Sequence, residues 1–148
     1  MGSSNRINIS APNLVNICVD DNKHGEMSGR IYHCYDREPM IFTNIIELLT
    51  KIEELFDVIG YPQASTKTRL FMEKQKERLS KPKPVAKQLD IIAYRGNIAT
   101  FVTNVKFRQN STWQGEVFLA EQDQMLQFAN TLELIKKMDA AIQAAISD

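Results

Sequence analysis

Apolar and polar residues alternate along two stretches of this chain, and each stretch is followed by an apolar stripe at helical spacing. Phe101, Thr103, Val105 and Phe107 alternate with Val102, Asn104, Lys106 and Arg108, the period of two that marks a half-buried strand. Val117 and Leu119 continue the pattern against Glu116 and Phe118. The earlier stretch offers Val15, Ile17 and Val19, then Ile31, His33 and Tyr35. The first helical stripe is Ile45, Leu48, Leu49, Ile52, Leu55, Phe56 and Ile59; the second is Leu132, Ile135, Met138, Ile142 and Ala145. Asn44 and Asn130 stand where a helix cap belongs, each with a glutamate three residues on, Glu47 and Glu133. Gly60 and Pro62 close the first helix.

The two stretches match each other at a constant separation of 86 residues. Gly29, Phe42, Asn44, Glu47, Leu48 and Lys51 fall on Gly115, Phe128, Asn130, Glu133, Leu134 and Lys137, and apolar positions between them fall on apolar positions. The matches occupy turns, caps and core faces, which points to an internal duplication. A lone strand-strand-helix unit cannot cover both its sheet and its helix, whereas two can share one sheet. The expected fold is therefore α+β: internally duplicated β-β-α units, an antiparallel sheet and two main helices on one face. One domain is expected, from repeats at about 12–60 and 99–146 joined by a basic connector, 61–98. Ile7–Ser10 and Leu89–Tyr94 are expected as added edge strands. Phe42 and Phe128 are expected to plug the junctions between helix and sheet, and His33 to be a satisfied core histidine.

Within the connector, Tyr61–Thr66 carries turn chemistry, and Lys67–Leu79 reads as a short basic helix with a thin apolar face. Ser80-Lys81-Pro82-Lys83-Pro84 cannot continue a helix and is expected to run extended.

Composition adds limits. A chain of 148 residues with 43% apolar and 24% charged positions is ordinary for one globular domain. No stretch approaches the roughly 20 apolar residues of a membrane span, and no secretory signal is read at the N-terminus, so the expected location is cytoplasmic. The formal charge of zero is uneven: residues 1–60 carry −4, residues 61–110 carry +8 and residues 111–148 carry −4. Cys18 and Cys34 read as small buried hydrophobes, with a disulfide open only if the strand register brings them together.

Few residues have the pattern of a chemical site. Arg108-Gln109-Asn110-Ser111-Thr112-Trp113-Gln114-Gly115 places the only tryptophan among amides and a guanidinium, a composition suited to recognition. The bland alternative is a hairpin tip whose tryptophan packs on the other repeat. Gln63, Ser65, Thr66 and Arg69 form a second candidate, a hydroxyl-bearing helix start followed by cations that could hold an anion. The basic residues between Lys67 and Lys87 could neutralise phosphates, although a solvated face is the simpler reading. Cys18, His24, His33 and Cys34 do not have metal-ligand spacing, and adjacent strand residues point to opposite faces. No phosphate loop, dinucleotide fingerprint, nucleophile elbow or zincin motif is present, so neither catalytic residues nor a cofactor are expected.

The segments Tyr61–Phe71 and Arg108–Gly115, with the Phe-x-Asn-x-x-Glu-Leu helix starts, resemble an uncharacterised family of small proteins from Gram-positive anaerobic bacteria. The resemblance covers about residues 27–146 and implies a bacterial cytoplasmic setting without an activity. The strand-strand-helix layout is also similar to the HicB-like antitoxin fold, by analogy of fold alone. Together these readings favour a non-enzymatic binding or regulatory module. It would use Arg108, Gln109, Asn110, Trp113 and Gln114, with Gln63, Ser65, Thr66 and Arg69 nearby, to meet a protein or a small polar ligand. Nucleic-acid binding through residues 67–87 and an antitoxin-like interaction domain are the alternatives. On the leading reading, Trp113→Ala abolishes binding and spares stability; a loss of stability instead would return the tryptophan to the core.

Overall fold

A computed structural model describes residues 10–62, 82–109 and 112–147. Its first half contains β1 (Val15–Lys23), β2 (Glu26–His33), β3 (Asp36–Phe42) and helix α1 (Ile45–Ile59). A short helix, α2 (Gln88–Ile91), precedes the second half, which contains β4 (Ala99–Gln109), β5 (Thr112–Leu119), β6 (Gln124–Phe128) and α3 (Thr131–Ser147). The strands form one antiparallel sheet in the order β3-β2-β1-β4-β5-β6. The α+β class and the two main helices over one face agree with the sequence. Each half has three strands instead of two: β3 and β6 are short, and Pro39 and flanking polar residues hide their alternation.

The two halves share a pairing register at the separation of 86. Val15, Ile17 and Val19 face His33, Ile31 and Gly29; Phe101, Thr103 and Val105 face Leu119, Val117 and Gly115. Both ladders then slip by one residue, between Val19 and Asp21 and between Val105 and Phe107. The central pair β1–β4 places Asn16 opposite Val102, with Val15 opposite Thr103 and Ile17 opposite Phe101, so an approximate two-fold axis passes beside Asn16 and Val102. The slip requires close backbone approach. A Cβ on Gly29 would lie 1.9 Å from the Cys18 carbonyl oxygen, and one on Gly115 would lie 2.1 Å from that of Asn104.

Both helices start in the same way. Asn44 Oδ1 accepts from the Glu47 amide at 2.8 Å and Glu47 accepts from the Thr43 amide at 2.8 Å. Asn130 Oδ1 accepts from the Glu133 amide at 2.9 Å and Glu133 accepts from the Ala129 amide at 2.8 Å. The inner faces of the strands and the apolar stripes of α1 and α3 form the main core. Phe42 and Phe128 are buried there at the ends of β3 and β6, opposite Gly29 and Gly115.

The outer face of the sheet is covered differently. Leu89–Tyr94 does not form an edge strand: it includes most of α2, which lies against the outer face. Ile91 packs with Cys18, Tyr32 and Cys34, and Ile92 packs with Leu14, Val102 and Phe118. Asn16 fastens that placement: its Nδ2 donates to the carbonyls of Ile91 at 2.9 Å and Tyr94 at 3.0 Å. Tyr94 stacks on Tyr32 at 3.8 Å, and Arg30 joins Asp20 at 2.8 Å while donating to the Arg95 carbonyl. Residues 7–9 and the basic helix read over Lys67–Leu79 lie outside the described residues.

Candidate functional site

The β4–β5 hairpin carries the strongest sequence candidate, and its backbone slip decides where each side chain goes. Strict alternation would send Phe107 inward with Val105 and leave Arg108 facing out. The extra residue at Lys106 inverts this. Arg108 pairs with Trp113 across the ladder and both turn into the core, whereas Phe107 pairs with Gln114 and both turn outward.

The expectation that Trp113 and Arg108 offer a contact surface is therefore corrected. Trp113 is 1% exposed and meets Phe56 of α1 edge to face, with ring centroids 5.7 Å apart. Its indole N–H donates to Glu53, and its amide donates to the Thr131 hydroxyl at 2.9 Å, beyond the point where β6 has ended. Arg108 is 6% exposed; Nη1 reaches Glu53 at 2.8 Å and Asp57 at 2.7 Å, and Nε donates to the Pro62 carbonyl at 2.9 Å. A buried guanidinium needs such partners, and here two carboxylates and a carbonyl supply them. The pair thus ties the end of α1 and the start of α3 to the hairpin. Glu53 and Asp57 are the residues that sequence reading missed. Their only signal was an acidic pair at i and i+4 on an amphipathic helix that also carries Glu47, Lys51 and Glu54.

The outward side of the same hairpin presents other groups. Phe107 is 65% exposed, and Gln109, Thr112 and Gln114 are exposed on the same face. Lys106 Nζ lies 3.3 Å from Glu116 at the base. A cleft of about 370 Å³ opens beside them, lined among others by Lys106, Phe107, Gln114, Glu116, Gln127 and Glu133. Asn110, Gln63, Ser65, Thr66 and Arg69 lie outside the described residues; Pro62, immediately before them, is joined to Arg108.

The residues considered for catalysis or metal binding are dispersed. His24 has φ 56° and Gly25 φ 78°, so the histidine occupies the two-residue turn between β1 and β2. His33 is buried; its Nδ1 accepts from the Tyr35 amide at 3.0 Å, and burial pushes its pKa below the ordinary value, with Asp36 opposing weakly. Cys18 faces Arg30, four residues short of Cys34 along the neighbouring strand. That is about 13 Å of strand, beyond the roughly 7 Å a disulfide tolerates. Both thiols are free. Burial raises that of Cys18 to about 11 and that of Cys34 above its usual value, so neither is a ready nucleophile. Among the described residues no group of three metal-ligating side chains converges, and no helix is long and apolar enough to cross a membrane.

Comparison with protein-family models, curated proteins and solved structures finds no match to this chain.

Proposed function

We propose that this protein is a non-enzymatic binding module whose contact surface is the outward side of the β4–β5 hairpin, and that its partner is another protein. The observation that carries the reading is the division of labour across the hairpin. Arg108 and Trp113 are fixed inside, and the same alternation holds Phe107, Gln109, Thr112 and Gln114 outside. An aromatic ring ringed by amides and a hydroxyl combines apolar area with directional hydrogen bonding, the usual makeup of an interface centre. Because the side chains stand on paired strands anchored from behind, little ordering entropy is lost on contact. Burying the exposed ring of Phe107 is worth about 2 kcal/mol.

The test compares the immobilised wild-type protein with a Phe107→Ser, Gln114→Ala double variant in capture from cells of the source organism. The proposal expects a protein retained by the wild type and lost by the variant, with melting temperature unchanged. Arg108→Ala is the contrasting control: it removes the guanidinium from Glu53, which keeps only the Trp113 indole, leaves the buried Pro62 carbonyl without its Arg108 donor, and lowers stability by about 2 kcal/mol. Equal retention by both proteins would contradict the proposal, as would a captured nucleic acid released by salt.

A further inference from the structure

The two edges of the described sheet, β3 and β6, correspond at the separation of 86 residues and yet end differently. β3 pairs with β2 through Phe42 with Gly29, Ile41 with Arg30 and Met40 with Ile31. β6 pairs with β5 in the same register, through Phe128 with Gly115, Gln127 with Glu116 and Leu126 with Val117. The Ile41 carbonyl accepts from Lys51 Nζ of α1, so the backbone groups of Ile41 turn away from β2. Antiparallel alternation turns those of Pro39 the same way. Two residues beyond Ile41, the Thr43 amide meets Glu47, as the Ala129 amide two residues beyond Gln127 meets Glu133. The outward backbone groups of β6 are therefore those of Met125 and Gln127.

On β3 these positions are closed. Pro39 has no N–H, Lys51 occupies the Ile41 carbonyl, and Asp36, Arg37 and Glu38 put charge on the strand. On β6 they are open. Met125 stands where Pro39 does and keeps its N–H. Lys137 stands where Lys51 does, but among the described residues it does not bond the Gln127 carbonyl. The strand Gln-Met-Leu-Gln-Phe has neither charge nor proline, and its ladder with β5 runs without the register shift that interrupts β3. Two donors and two acceptors thus stand in line on an uncharged edge, a template for one more strand.

We infer that β6 pairs antiparallel with β6 of a second copy of this chain, joining two six-stranded sheets into one across a two-fold axis at Leu126. In that register Met125 and Gln127 of one copy exchange backbone bonds with Gln127 and Met125 of the other, which satisfies every open group at once. Leu126 meets its own counterpart and Gln124 meets Phe128, so no like charges oppose one another. Asp123, just before the strand, is carried toward the second copy's Lys137, and the formal charge of zero leaves no net repulsion between copies. This match of the strand to itself favours a second copy over a foreign strand. The inference does not rest on the hairpin reading.

The test is sedimentation equilibrium of the full chain between about 1 and 300 µM, where a dissociation constant on the order of 10 µM is expected for so short a strand pair. Met125→Pro gives β6 the ending that β3 has. It should stay monomeric across the range, with the melting temperature of the dilute wild type. Should the proline prevent folding, Met125→Lys with Gln127→Lys, which sets like charges across the axis, should have the same effect. Leu126→Cys, at a non-hydrogen-bonded pair on the axis, should form a disulfide-linked dimer on mild oxidation, and Gln124→Cys should not. Cys18 and Cys34 are buried and leave this readout clear. A wild type that is monomeric at every concentration, association undiminished in the folded edge variants, or cross-linking of Gln124→Cys in preference to Leu126→Cys would each overturn the inference. An edge reserved for a foreign strand would show the first of these.

Discussion

At the scale of single residues, a half-turn of backbone decides whether a side chain is structural or available. Phe107 and Arg108 are neighbours, and their composition alone would send the ring inward and the charge outward. The slip at Lys106 does the reverse, and Glu53, Asp57 and Pro62 make the buried guanidinium tolerable. His33 shows the opposite case, a polar residue whose inward place was legible from alternation. Its pKa is lowered in the folded chain, so the unfolded chain binds more protons once pH drops below about 6.5. Stability attributable to His33 is complete above that pH and is lost as pH falls toward the depressed folded value. Urea unfolding between pH 7.5 and 5 should therefore show a decline that His33→Gln flattens. An equally steep decline in the variant would assign the effect elsewhere.

At the scale of elements, the sequence announced the helices more clearly than the outer strands. Asn44 with Glu47 and Asn130 with Glu133 make reciprocal caps, and the apolar stripes behind them form the buried faces of α1 and α3. β3 and β6 were not legible as strands because each is short, polar at one end and, in β3, interrupted by proline. The bulges were also hidden, since an extra residue leaves no compositional trace except the glycine opposite. That glycine gives an element-level prediction. Gly29→Ala and Gly115→Ala each drive a methyl into a carbonyl oxygen across the ladder. Each should cost about 3 kcal/mol or more, read from the shift of the denaturation midpoint. A loss under about 1 kcal/mol at both positions would mean that the strands approach less closely than described.

At the scale of the whole molecule, one sheet serves two halves, and the differences between the halves mark where function can reside. The separation of 86 read from the sequence is also the separation of the strand register and the helix caps. What remained illegible is what depends on three-dimensional juxtaposition. The segment Leu89–Tyr94 reads as a strand in isolation, yet it begins in a short helix that ends at Ile91, and Asn16, 75 positions away from Ile91, bonds it to the outer face. Trp113 likewise depends on Glu53 and Phe56 from the other half, so its loop could be read either as a binding tip or as an anchor. The inward turn of Trp113 underlies both the locking of the hairpin and the outward display of Phe107. Because Trp113 is the only tryptophan, fluorescence excited to the red of the absorption of the four tyrosines reports on it alone. The folded protein should emit to the blue of the unfolded chain and resist quenching by acrylamide. Emission like that of free indole, readily quenched in the folded state, would contradict it.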